Sequence, residues 1–315
     1  MDLVAQTLAG DRRALARLIS RVEDNAPSAR QALAALYPHT GRAHLIGVTG
    51  APGTGKSTLV NQMAKSLRAQ ERTVGVVAVD PTSPFTGGAL LGDRVRMRDL
   101  AGDPGIFIRS MATRGSLGGL AQATDDVVKV LDAAGFDVVL VETVGAGQSE
   151  VEIARTAHST VVIEAPGLGD DVQALKAGLL EIADVLVVNK SDRPEAARTV
   201  RALEATLTLG RSSPNDGWEP PILQTVALDG TGVPELLAAV AAHRAYLEQS
   251  GSWTQRERNR AQANLTRVLE RELVDRLIEQ TGPEALDRWI DRIVAREADV
   301  YAAAQALIEG QADAS

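Results

Sequence analysis

An apolar run, Leu45–Val48, leads within two residues into Gly50-Ala51-Pro52-Gly53-Thr54-Gly55-Lys56-Ser57 and then Thr58. Beyond it Leu59, Val60, Met63, Ala64 and Leu67 recur at helical spacing. Strand, glycine-rich turn and helix in that order make a phosphate-binding loop, in which each position has its own task. Gly53 and Gly55 allow backbone N–H groups to face phosphate oxygens with no Cβ in the way. Lys56 supplies a compact positive charge for the β- and γ-phosphates, and the Ser57 hydroxyl is placed to ligate magnesium. The positive end of the following helix lies beneath the anion. A plain glycine-rich connection is the competing explanation, and the periodicities on both sides weigh against it. Gly50, Pro52, Gly53, Thr54, Gly55, Lys56, Ser57 and Thr58 are therefore the candidate phosphate contacts, with Lys56 as the catalytic cation.

Further apolar and β-branched runs follow at Val74–Val79, Ile106–Ile108, Val138–Val141, Thr160–Ile163, Val185–Val188 and Ile222–Val226, separated by helical stretches. Strands that read as continuous Val, Ile and Leu are buried on both faces. The expectation is an α/β fold with a mostly parallel sheet and helices on either side. Residues 2–37 have helical spacing (Ala14, Leu15, Leu18, Ile19, Val22), with Asp11 as an N-cap and Pro27 opening a second short helix. After Trp253 the pattern is helical to the end, with Leu265, Val268, Leu269, Leu273 and Leu277 on one face and a break at Gly282-Pro283. The predicted organisation is an N-terminal helical lead-in over 1–42, a nucleotide-binding domain over 43–250 and a helical region over 251–315. The apolar stripe of that last region suits either packing on its own domain or a dimerisation arm.

Hydrophobic residues make up 44% of the 315, enough for a substantial core. The net charge of −8 argues against a nucleic-acid partner. With no cysteine, the chain has no disulfide framework and no thiolate metal site. No apolar run approaches a membrane span, and the first residues lack the order of a signal peptide, so a cytoplasmic location is expected.

Two further groups of residues define the ligand. Asn189-Lys190-Ser191-Asp192 follows the run Val185–Val188, where a loop at the carboxyl edge of the sheet reaches a bound base. A carboxylate there accepts both N1–H and the exocyclic amine of guanine, whereas adenine has no N1–H, so Asp192 selects GTP. By itself the tetrapeptide is equally a polar turn; downstream of a phosphate loop it points to guanine. Val226-Ala227-Leu228 sits where a backbone amide meets the guanine oxygen. Asp80 and Glu142 end two of the apolar runs and Asp93 lies between them, so all three are candidates to join Ser57 around magnesium, although each is also a possible cap. Gly145, three residues after Glu142, is placed to sense the γ-phosphate.

These residues carry a resemblance that covers nearly the whole chain. The matching stretches are Gly10-Asp11-Arg12-Arg13-Ala14-Leu15-Ala16-Arg17, Pro38-His39-Thr40-Gly41, the phosphate loop, Ala78-Val79-Asp80-Pro81-Thr82-Ser83-Pro84 and Leu91-Gly92-Asp93. Arg109-Ser110-Met111-Ala112-Thr113-Arg114-Gly115, Glu142-Thr143-Val144-Gly145 and Gly147-Gln148-Ser149-Glu150 continue the match. The sequence resembles the MeaB/ArgK/MMAA family of G-protein chaperones for adenosylcobalamin-dependent acyl-CoA mutases such as methylmalonyl-CoA mutase. The resemblance implies a P-loop G domain that hydrolyses GTP with magnesium, a C-terminal homodimerisation arm, and adenosylcobalamin carried by the partner mutase rather than by this chain. It also implies that Ser57, Asp80, Asp93 and Glu142 surround the magnesium and that Arg96 approaches the phosphates. Residues 166–176 are implied to link hydrolysis to the mutase, with Gln173 and Lys176 relaying the signal and assembling the active site.

The chain departs from the family pattern at Asp171-Val172, at His158 and at Glu164, changes that suit a different partner mutase. No glutamine follows Gly145, since Ala146 stands there; slow intrinsic hydrolysis with stimulation by a partner is expected. Three rivals compete with this function. One is a nickel-type metallocentre-assembly GTPase, disfavoured because cysteine is absent and His39, His44, His158 and His243 are scattered along the chain. Another is an ATP-dependent kinase or ATPase linked to amino-acid transport, against which Asp192 argues. A third is a nucleotide-gated scaffold or targeting receptor, for which four methionines offer no Met-rich partner domain.

Overall fold

The computed structural model describes residues 2–80, 98–100, 102–112, 117–143, 149–167, 177–209 and 217–310. Three helices come first, where two were expected: α1 (Leu3–Leu8), α2 (Arg12–Glu23) and α3 (Pro27–Leu36). Gly10, at φ +84°, breaks the chain between α1 and α2. Asp11 caps α2 as expected, its carboxylate accepting from Arg13 N at 2.8 Å and Ala14 N at 3.1 Å.

The strands are β1 (His44–Gly50), β2 (Val74–Asp80), β3 (Ile106–Ala112), β4 (Val138–Glu142), β5 (Ser159–Glu164), β6 (Val185–Asn189) and β7 (Ile222–Thr225). All pair in parallel, in the order β3-β2-β4-β1-β5-β6-β7. Between them run α4 (Lys56–Ala69), α5 (Leu117–Ala133), α6 (Ser149–Thr156), α7 (Ala177–Glu181), α8 (Ala196–Leu209) and α9 (Val233–Ser250). The last strand ends one residue short of its expected limit. Val226 instead forms an antiparallel bridge with Thr231 across a turn, so the turn begins where a longer strand would have carried the chain past the site.

Alternation along the strands divides the core. Ile46, Val48, Val74 and Val76 pack with Leu59 and Met63 of α4 and Leu236 and Val240 of α9. Leu45, Val77 and Val79 face the other side and pack with Leu15, Leu18 and Ile19 of α2 and Val127 and Leu131 of α5. The N-terminal helices thus cover one face of the sheet. Arg109 of β3 fastens them there, donating from Nε to Glu23 at 2.8 Å and from its fork to Ser20 at 3.1 Å. The connection into β1 is held by Asp132 of α5, which accepts from the N–H groups of Gly41, Arg42 and Ala43.

The chain divides into two compact units, Met1–Arg260 and Ala261–Ser315. Helix α10 (Ser252–Thr281) crosses the division, and α11 (Pro283–Val294) and α12 (Val300–Ile308) complete the second unit. The expected break falls at Gly282, with φ +80°, followed by Pro283 at the start of α11. Trp289, Ala303 and Ala306 form a small core there. Among the described residues no helix is long and apolar enough to cross a membrane.

Candidate functional site

The parallel order places β1 centrally, between β4 and β5, so loops leaving the carboxyl ends of these strands meet in one crevice. Gly50 closes β1 beside Ile163 of β5. At φ +144° it leaves no room for a side chain, since a Cβ would lie 2.1 Å from the Ile163 carbonyl oxygen. The chain then turns through Gly53 and Gly55, at φ +83° and +95°, while the buried Thr54 hydroxyl donates to Ala51 O at 2.9 Å. Helix α4 starts at Lys56 with no side-chain cap on its first amides, which leaves those N–H groups for an anion. Lys56 is buried, and its Nζ donates to Gly50 O at 2.9 Å and Ala51 O at 3.1 Å. Pro52 and Gly53 are exposed at the tip, and Thr58 is half-buried on the first turn of the helix.

Ser57, one residue into that helix, donates from Oγ to Glu142 Oε1 at 2.6 Å. Both are buried. Glu142 ends β4 opposite Val48 of β1 and Ala78 of β2, and Asp80 ends β2 two residues beyond that level. The register therefore brings Ser57, Glu142 and the backbone of Asp80 to one edge of the sheet. Thr143 continues the edge, its hydroxyl donating to Thr49 Oγ1 at 2.9 Å.

The segment expected to recognise the base is tied to the phosphate loop by Asn189. Its Nδ2 donates to Thr54 O at 2.7 Å, and its Oδ1 accepts from Thr225 Oγ1 at 3.1 Å and Ala227 N at 3.0 Å. Gly55 serves this contact as well as the turn, because a Cβ there would meet Asn189 Nδ2 at 2.4 Å. Lys190, in the left-handed region at φ +57°, adds a second tie from Nζ to Gly53 O at 2.6 Å. Asp192 is exposed two residues further on. In the loop after β7, Ala227 is buried against Asn189, whereas Leu228 is 84% exposed on a turn that Gln62 of α4 steadies at its carbonyl.

The structure thus assembles Gly50 to Thr58, Glu142, Asn189, Lys190 and Val226 to Leu228 around one crevice. Asp93, Arg96, Gly145, Gln173 and Lys176 lie outside the described residues. Asn189, expected from the sequence to contact the nucleotide, makes three hydrogen bonds to protein groups, which the sequence did not reveal. The signal available was its position at a buried strand end, where an amide has backbone partners within reach.

Three of the histidines taken as scattered gather at the amino end of the central strands, away from the phosphate loop. His44 Nε2 lies 2.9 Å from Ser159 Oγ, which lies 2.8 Å from His243 Nδ1. His158 Nδ1 accepts from Leu45 N at 3.0 Å, so its Nε2 carries the proton and donates to Glu257 Oε1 of α10 at 2.7 Å. Burial lowers His158 and His243 to about 4 and His44 well below its ordinary value. Neutral rings locked in hydrogen bonds make this a structural cluster, and among the described residues no group of three or more His, Cys, Asp or Glu side chains is arranged to hold a metal ion.

A parallel sheet whose central strand runs through a glycine-rich turn into a helix, with a strand-end asparagine tying that turn to the loops after the next strands, defines a P-loop GTPase. The chain belongs to the MeaB family: residues 15–282 match the family model described as methylmalonyl Co-A mutase-associated GTPase MeaB. A protein of Pyrococcus horikoshii is 48% identical over 309 residues, covering 98% of this chain and 97% of that one. GTPase ArgK of Escherichia coli K12 is 37% identical over 287 residues, covering 89% and 86%. A crystal structure described as LAO/AO transport system kinase superposes with a TM-score of 0.75 at 28% identity, covering 98% of this chain and 95% of that one.

Proposed function

We propose that this GTPase is a chaperone of an adenosylcobalamin-dependent acyl-CoA mutase. It gates loading of the cofactor, blocks loading of inactive cofactor and helps eject damaged cofactor. Membership of a family described as mutase-associated carries this reading. Adenosylcobalamin stays with the mutase, and the GTPase supplies timing from a cytoplasmic site.

In this reading Asp192 accepts the two guanine N–H groups, while Asn189 and Lys190 hold the phosphate loop against the base loop at Val226-Ala227-Leu228. Ser57, Asp80, Asp93 and Glu142 hold magnesium. The Ser57 hydroxyl and Glu142 carboxylate, 2.6 Å apart, are hard oxygen donors that fit such an ion. When bound, magnesium neutralises charge on the β- and γ-phosphate oxygens. Lys56 exchanges the carbonyls of Gly50 and Ala51 for phosphate oxygens, a charge-assisted and therefore stronger pairing. Amides at the start of α4 donate to the same oxygens while water attacks the γ-phosphate in line. Arg96 and Gly145 respond to the γ-phosphate, and Gln173 and Lys176 complete the catalytic set when the mutase docks.

The organisation proposed is a lead-in over 1–42, a G domain over 43–250 and a dimerisation region over 251–315. Leu265, Leu269 and Leu273 are 60%, 50% and 63% exposed on α10, an apolar stripe that a second copy buries. A second reading, an ATP-dependent kinase linked to transport, draws on the description of the similar crystal structure. Transfer of adenosylcobalamin to an apo-mutase decides between them. The chaperone reading expects loading to depend on GTP and not on ATP; loading indifferent to the GTPase and its nucleotide rejects it.

A further inference from the structure

Strand β5 begins at Ser159 and sends its side chains alternately to the two faces of the sheet. Val161 and Ile163 enter the core that α4 and α9 share, whereas Val162 packs on the opposite face with Leu180, Ala183 and Leu186. Thr160 shares the face of Val162 but brings a hydroxyl to it. The residue is 1% exposed. Its backbone is satisfied, the N–H donating to Asp184 Oδ2 at 2.8 Å and the carbonyl accepting from Asp184 N at 2.9 Å. Among the described residues its Oγ1 has no hydrogen-bond partner. A buried hydroxyl left in that state costs stability, and a hydrophobic side chain of the same shape would avoid the cost.

Thr160 lines a cavity of about 250 Å³ together with Arg155 of α6, Glu181 at the end of α7, Asp184 just before β6, and Arg256 and Arg260 of α10. Three guanidinium groups thus meet two carboxylates. Asp184 is already saturated within the wall, since besides Thr160 N it accepts from Arg256 Nη1 at 3.0 Å and Nη2 at 2.7 Å. Glu181 is exposed, and water weakens its field. The other two cations keep donors in reserve. Arg260 pairs with Glu257 through Nη1, but among the described residues its buried Nε–H has no hydrogen-bond partner. Arg155 is exposed and forms no ion pair among the described residues. A hydroxyl, a guanidinium edge and a whole guanidinium therefore line one cavity with nothing in the protein to bond.

We propose that this cavity binds a small oxyanion, a phosphate or a carboxylate group, through Thr160 Oγ1, Arg260 Nε and the guanidinium of Arg155. Guanidinium groups match such oxygens with paired N–H donors, and bonds to a charged acceptor are about twice as strong as neutral ones. The volume falls below the roughly 300 to 1,000 Å³ of pockets for drug-sized ligands, which restricts the occupant to a small anion. The site is separate from the phosphate loop. Thr160 lies at the amino end of β5, about 10 Å along the strand from Ile163, the residue that pairs with Gly50. An anion there joins α6, β5 and the first turns of α10, so its binding stabilises their packing.

Full-length protein saturated with GDP and magnesium, which fill the phosphate loop, is titrated with inorganic phosphate and separately with succinate, at an ionic strength held constant with sodium chloride. The midpoint of thermal unfolding reads binding by linkage. A saturable rise with at least one of the two is expected, and the one that acts distinguishes phosphate from carboxylate as the ligand. The general effect of phosphate as a salt does not saturate and is common to all variants. Thr160→Val and Arg155→Gln should each raise the half-saturating concentration about tenfold, the loss of one charge-assisted hydrogen bond. Without added anion both variants should unfold at the wild-type midpoint or above it, because neither side chain bonds to the protein. A lower midpoint in Thr160→Val under those conditions gives the hydroxyl a role in the fold and overturns the site. No saturable rise with either anion, or a rise that either variant retains in full, overturns it as well.

Discussion

Replacing Asn189 with alanine removes three hydrogen bonds at once, to Thr54 O, Thr225 Oγ1 and Ala227 N. The side chain is buried, at 2% exposure, so solvent does not replace what is lost. At about 1 kcal/mol net per bond, the nucleotide-free protein should unfold more easily by about 3 kcal/mol. Gly55 sharpens the expectation. Gly55→Ala introduces a Cβ 2.4 Å from Asn189 Nδ2 at a residue with φ +95°, which combines left-handed strain of about 1 to 2 kcal/mol with ejection of the amide and loss of its bonds. In the Asn189→Ala background only the strain remains. A double-mutant cycle by urea denaturation should therefore give a coupling of about 3 kcal/mol between positions 55 and 189. Strictly additive effects would refute the argument that Gly55 is required by the amide as well as by the turn.

Lys56→Ala should abolish GTP turnover while leaving the circular dichroism spectrum unchanged; measurable multiple turnover would contradict the role given to the lysine. Asp192→Asn presents a donor where guanine also donates, so GTP affinity should fall about a hundredfold and xanthosine triphosphate should bind in its place, as read by competition. The three buried histidines should make stability depend on pH. Their folded values lie below the ordinary 6.5, near 4 for His158 and His243, so unfolding takes up protons between those limits. Stability is full above about pH 6.5 and falls with acidification towards pH 4, by about 1.4 kcal/mol per pH unit for each histidine. Urea midpoints from pH 7 to 5 check the slope, which should be shallower in His158→Gln.

Much of this was legible in the chain itself. Leu45–Val48 followed by Gly50 to Ser57 dictates strand, turn and helix, and the apolar runs foretold a parallel sheet, because buried strands leave no polar face to alternate. Their order was not legible. Val74–Val79, Val138–Val141 and Val185–Val188 look alike, and pairing depends on which helix covers which face. Asp11 was readable as a cap because a cap acts within three residues. The ties of Asn189 to Thr54 and of Asn61 to Asp99 span 135 and 38 residues, and only the folded chain brings those partners together. The histidine cluster has the same origin: positions 44, 158 and 243 meet because β1 and β5 are neighbours and α9 packs beneath them.

On the proposed function, hydrolysis in this crevice is timed by another enzyme. Single-turnover GTP hydrolysis, measured alone and with purified adenosylcobalamin-dependent acyl-CoA mutases, addresses it directly. Acceleration by the cognate mutase is predicted, with roughly 10³- to 10⁵-fold the range that activating proteins reach in small G proteins. Equal rates with and without every such mutase would contradict it.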